Sequence, residues 1–72
     1  MNQVYIRDEF IKLGQAMKLA GAVDSGLDAK LLIMDGKVSV NGELCQQRGK
    51  KLYEGDFFSF DGTDYQIAGN KR

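Results

Sequence analysis

The residues whose types and spacing suggest chemistry are Ser25, at the start of a helical pattern, and Arg48, Lys50 and Lys51, gathered around Gly49. A hydroxyl beside free helix-start amides, together with clustered cations, is suited to seating phosphate. Positions 12–51 hold seven bases (Lys12, Lys18, Lys30, Lys37, Arg48, Lys50 and Lys51) against four acids (Asp24, Asp28, Asp35 and Glu43). Positions 52–70 hold four acids and no base. The formal net charge is zero, so attraction for a polyanion depends on where the cations gather rather than on their total.

Other chemistries find little support. The chain has no histidine, which removes the usual general base and the commonest zinc ligand. Cys45 is the single cysteine, so no internal disulfide or four-cysteine metal site can form, and it reads as a small apolar strand residue. Asp56, Asp61 and Asp64 occupy turn positions without the ligand spacing of a calcium loop. Gly49-Lys50 lacks the remainder of a nucleotide-binding phosphate loop. No metal or cofactor is expected, and no enzymatic activity.

The elements that must position these residues follow from periodicity. Residues 4–7 suit a short strand, and Asp8 is a candidate N-cap. Phe10, Leu13, Met17 and Ala20, widened by Ile11, Ala16 and Leu19, predict an amphipathic helix that Gly21 stops. Ser25 with Asp28 three residues on resembles a capping box and predicts a second helix through Met34, closed by Asp35-Gly36. Alternation over 37–41 predicts a strand, and Asn41-Gly42 a tight hairpin turn. Residues 46–51 read as a polar basic loop, 52–56 as a turn through Gly55, and 57–61 as a strand. A second hairpin at Asp61-Gly62 returns along 65–68. Phe57, Phe58 and Phe60 are expected on a core face, with Phe58 partly exposed.

The fold class is therefore α+β, with two helices packed on a small, mostly antiparallel, twisted sheet. Residues 1–72 form one domain with a core spanning about 4–68 and a frayed tail over 69–72. No apolar run approaches the length of a membrane span, and the N-terminus lacks the pattern of a secretory signal. A cytoplasmic, monomeric protein is the expectation.

The stretch Ser25-Gly26-Leu27-Asp28-Ala29-Lys30, followed by Val38-Ser39-Val40-Asn41-Gly42, resembles the alpha-L core of the S-four-like RNA-binding domain. The family's first helix maps to 12–20, its short loop to 21–24, its Ala-basic pair to Ala29-Lys30 and its Val-x-Val-Asn-Gly strand to 38–42. Arg48-Gly49-Lys50-Lys51-Leu52 and Gly55-Asp56 are similar to the stand-alone subgroup of that family, the YaaA/YbcJ-type proteins. The resemblance covers residues 4–62. Many members carry arginine immediately after the capping serine. This chain has Gly26, as the stand-alone subgroup commonly does, and so lacks a guanidinium able to grip phosphate at two points.

The resemblance implies binding of structured RNA, of the ribosomal or transfer RNA class, with phosphates and shape read rather than base sequence. The candidate contacts are Lys12, Ser25, Lys30, Lys37, Asn41, Arg48, Lys50 and Lys51. Each has a simpler role beside it: Ser25 as a helix cap, Asn41 as a turn residue, and the lysines as solvated charges. A protein-interaction adaptor, using the same fold against a partner's acidic surface or through an exposed apolar patch that includes Leu27, is the alternative.

Overall fold

The two ends of the described chain lie side by side. A computed structural model describes residues 2–69. Its first strand, β1 (Asn2–Ile6), runs parallel to its last, β7 (Thr63–Gly69), with Val4 opposite Ile67. Val4 and Ile6 point into the core while Gln3 and Tyr5 stay exposed, as the twofold period of a strand requires. Next to β7 lies β6 (Phe57–Phe60), then β3 (Val38–Val40) and β4 (Glu43–Leu44), all antiparallel. The hairpin turns at Asn41-Gly42 and Asp61-Gly62 have φ of 51° and 87°, and of 54° and 77°. Positive φ at both central residues matches the right-handed twist of the flanking strands.

Two helices cover this sheet: α1 (Leu13–Leu19) and α2 (Gly26–Met34). Ser25 caps α2, its Oγ accepting from the Asp28 amide at 3.2 Å. Both helices end in the same motif. Ala22 donates to the Met17 carbonyl and Gly21 to that of Lys18, while Lys37 donates to Leu32 and Gly36 to Ile33. Gly21 and Gly36 take the left-handed conformation that this crossed pair of bonds needs. The core brings together Leu13, Ala16 and Met17 of α1, Ala29 and Ile33 of α2, and Val38, Leu52, Phe58 and Ile67 from the strands.

The first helix begins later than its periodicity suggests. Asp8 is not its cap. Phe10–Lys12 forms a strand, β2, paired antiparallel with β5 (Lys51–Tyr53) in a separate two-stranded sheet. Aromatic and β-branched side chains favour that choice, and the Phe10 and Tyr53 rings lie 5.8 Å apart. Leu52 therefore belongs to a strand, fully buried, and not to a turn. Leu19, expected on the buried stripe, is exposed, because the shortened helix turns only Leu13, Ala16 and Met17 inward.

Phe58 also departs from expectation. It is fully buried, whereas Phe57 and Phe60 are half-buried. Its register partner Tyr65 stacks on it at 4.9 Å between ring centroids, and this pair sets the inward phase of the strand. Gly69 is paired with Ile6 rather than frayed, and the remainder of the expected tail, 70–72, lies outside the described residues.

Replacing Phe58 by alanine is expected to cost about 3–5 kcal/mol, a large share of what so small a domain has. Urea denaturation checks this, and a loss below about 1 kcal/mol would contradict the packing described.

Candidate nucleic-acid interface

The start of α1 is built without a side-chain cap. Lys12 is its N-cap residue, and the Leu13 and Gly14 amides donate to the carbonyls of Lys50 at 2.8 Å and Arg48 at 3.0 Å. The basic loop thus satisfies helix-start donors with its own backbone. These bonds pull the loop onto the helix and leave the Arg48 and Lys50 side chains exposed. The segments pack together at Gly14, where a Cβ would sit in ordinary van der Waals contact, 3.7 Å from the Arg48 Cβ and 4.0 Å from the Ala29 Cβ. The loop, α1 and the first turn of α2 therefore meet.

At that meeting point is an open cleft of about 360 Å³ lined by Lys12, Gln15, Lys18, Gly26 and Arg48. Three cations from separate parts of the chain surround the amino end of α2. Lys51 extends the positive area, because it stands directly opposite Lys12 in the β2–β5 register. Like charges so placed repel each other. The Lys51 Nζ lies 4.8 Å from the Phe10 ring centroid, a cation–π contact worth roughly 0.5–1 kcal/mol at an exposed site that offsets part of that repulsion. No side-chain hydrogen bond among the described residues involves Lys12, Lys18, Arg48 or Lys51.

The expected contact residues divide. Lys12 and Arg48 line the cleft, Lys51 adjoins it through the strand pair, and Ser25 precedes Gly26 with its hydroxyl engaged in capping. Lys30, half-buried on α2, and Lys37, exposed before β3, do not line it. Lys50 and Asn41 line a different cleft with Glu43, Cys45 and Gln47. Lys18 was not expected. Its signal was the three-residue step from Gln15, which puts both on one face of α1, but only the position of Arg48 gives that face a meaning.

Asn41 is held from both ends of its amide. Its Nδ2 donates to Asp56 Oδ1 at 3.3 Å, and its Oδ1 accepts from the Phe57 amide at 3.0 Å. Asp56 Oδ2 in turn accepts from the Tyr53 amide at 2.8 Å. This network joins the hairpin turn to the turn after β5. Cys45, half-buried, directs its thiol to the Gln47 carbonyl at 3.6 Å. Among the described residues no three of Cys, Asp and Glu gather as a metal site, and no helix is long and apolar enough to cross a membrane.

The second helix presents a different surface on its outer side. Leu27, Leu31 and Met34 recur at helical spacing and are all exposed. Asp24 and Asp28 line a shallow cleft with Ala22, Val23, Leu31 and Leu32, apart from the three cations.

The family model for the S4 domain matches residues 4–68, nearly the whole described chain. The chain belongs to the S4 domain family. Within that family, the S4 chain is 43% identical over 61 residues to the probable ribosome maturation protein RlbA of Bacillus subtilis, covering 85% of this chain and 86% of that protein. It is 33% identical over 58 residues to the putative RNA-binding protein YbcJ of Escherichia coli, covering 81% and 83%. The solution structure of Escherichia coli YbcJ superposes with a TM-score of 0.73 at 29% identity, over 94% of this S4 chain and 87% of that one. That structure is described as revealing an alpha-L motif involved in RNA-binding. The two helices and mixed sheet found here are the same alpha-L arrangement.

Because Asn41 serves the turn network, Asn41→Ala is expected to cost about 1 kcal/mol of stability, since two exposed hydrogen bonds go and a positive-φ position receives a residue less suited to it. Thermal unfolding measures this. A variant as stable as the parent would show that the network contributes nothing.

Proposed function

We propose that this S4 domain binds structured RNA, of the ribosomal or transfer RNA class, by seating phosphates in the cleft between α1, the basic loop and the amino end of α2. The observation that carries the reading is the convergence of Lys12, Lys18 and Arg48 on Gly26, with Lys51 facing Lys12 across a strand pair. Cations held together at a cost in mutual repulsion gain when a polyanion arrives. The partial positive charge of the α2 terminus adds to them, offset in part by Asp28 in its first turn. Support also comes from the RNA-binding description of YbcJ, and the ribosome maturation name of RlbA favours ribosomal RNA within the two classes.

Recognition of this kind reads phosphate spacing and groove shape. The deep, narrow major groove of an RNA duplex offers side chains few base edges, and a domain this small spans only a few phosphates. Lys30, Lys37 and Lys50 add attraction at longer range, screened beyond about 8–10 Å. The domain acts by binding and not by catalysis: it has no histidine, and the single thiol is engaged with a carbonyl. Its place is the cytoplasm, with the RNA.

The adaptor reading draws on the exposed Leu27, Leu31 and Met34. Pull-down with and without nuclease separates the two: partners lost on nuclease treatment support RNA as the primary ligand, and partners retained support the adaptor.

With about four phosphates neutralised, log K should fall with log salt at a slope of roughly −3 to −4. The double substitution Lys12→Ala, Arg48→Ala is expected to weaken duplex binding at least about tenfold at low salt, alike for different sequences, and to reduce the slope by about two. Unchanged affinity would remove the cleft from the interface. Gly26→Arg offers the converse test. Gly26 lines the cleft and a Cβ there meets nothing within 4 Å, so the position has room for a side chain. Affinity is expected to rise severalfold and the slope to steepen by about one.

A further inference from the structure

A second and larger cleft, of about 690 Å³, lies on the other side of Lys18. Ile6 of β1, Ile11 of β2 and Leu19 of α1 give it apolar lining, and Tyr5 and Phe10 give it two aromatic rings, with Lys51 Nζ 4.8 Å from the Phe10 centroid and the Tyr5 hydroxyl donating to Gln3 Oε1 at 2.8 Å. Tyr5 is 63% exposed, on a strand whose neighbouring side chains Val4 and Ile6 are buried. Arg7 and Lys18 supply two cations, and Asp8 one carboxylate. Gln15 and Lys18 line both this cleft and the cationic one, so the two adjoin.

From this juxtaposition we infer that the aromatic cleft receives an unpaired nucleotide, a bulged or terminal base of the same RNA whose phosphates occupy the cationic cleft. The inference rests on the RNA reading above and adds to it the feature of the RNA that is recognised. The chemistry fits part by part. The cleft is open to solvent, and its volume is within the range of small-ligand clefts. Base faces stack on aromatic rings whatever the base, and unpaired nucleotides in loops, bulges and ends are where RNA exposes those faces. Arg7 and Lys18 line the cleft and offer cations to the adjoining phosphates. The Asp8 carboxylate can accept a hydrogen bond from an exocyclic amino group, which favours adenosine over uridine as a probe.

The test compares an RNA hairpin with a blunt end against the same hairpin carrying one unpaired adenosine at the 3′ end, with adenosine monophosphate as a third ligand. The parent protein is expected to bind the overhanging hairpin about tenfold more tightly than the blunt one. Tyr5→Ala should abolish that preference while leaving blunt-end affinity unchanged, and Tyr5→Phe should retain it. Equal binding of the two hairpins by the parent, or equal weakening of both by Tyr5→Ala, overturns the inference and leaves phosphate binding standing. Binding of the monophosphate as tight as that of the overhanging hairpin also overturns it, by assigning the cleft to a free nucleotide. If neither hairpin binds at low salt, the RNA reading fails, and this inference with it.

Discussion

The arrangement depends on two backbone hydrogen bonds, from the Leu13 and Gly14 amides to the carbonyls of Lys50 and Arg48. A helix start leaves donors that must be satisfied, and here a distant loop satisfies them in place of a local side chain. The same contact extends the β2–β5 pairing by carrying the chain from the strand directly into the helix. One constraint therefore serves the fold and the interface together. It closes a long loop, and it holds Arg48 beside α1 and the amino end of α2 although most of the sequence's basic residues lie elsewhere.

That economy explains how a neutral chain can carry a positive face. The cations of the cleft come from the end of a strand, the exposed side of a helix and a loop, and no pair of them is adjacent in sequence. Acids are present nearby in the chain, at Asp24 and Asp28, but they line the far side of α2 with Leu31 and Leu32. The second helix thus divides two surfaces: a cationic one at its amino end and an apolar one with an acidic edge along its outer side. The long-range parallel pairing of β1 with β7 places Tyr5 in a cleft that Lys18 also lines, and that cleft adjoins the cationic one.

What could be read from the sequence was what local chemistry decides. Ser25 as a cap, Gly21 and Gly36 as helix ends, and the Asn-Gly and Asp-Gly turns all depend on a few neighbouring residues. The family's alpha-L pattern was legible for the same reason. The strand at Phe10–Lys12 was not, because its stability comes from Lys51–Tyr53, and a helical spacing of apolar residues fits the same letters. Phe58 was misplaced because the run Phe57-Phe58-Ser59-Phe60 permits either phase, which Tyr65 decides from the facing strand. Within the candidate site, charge and the family resemblance together point to Lys12 and Arg48, while Lys18 and Arg7 are brought to the clefts only by how the elements pack. Asn41 shows the opposite case, a residue named for binding whose amide is taken up by the fold.

The most direct measurement is an amide chemical-shift map of the full chain titrated with a short RNA duplex at low salt. If phosphates sit at the amino end of α2, the largest shifts fall on Gly14, Gln15, Lys18, Gly26, Arg48 and Gly49. Shifts confined to the outer side of α2, at Leu27, Leu31 and Met34, or spread evenly over the sheet, would contradict it.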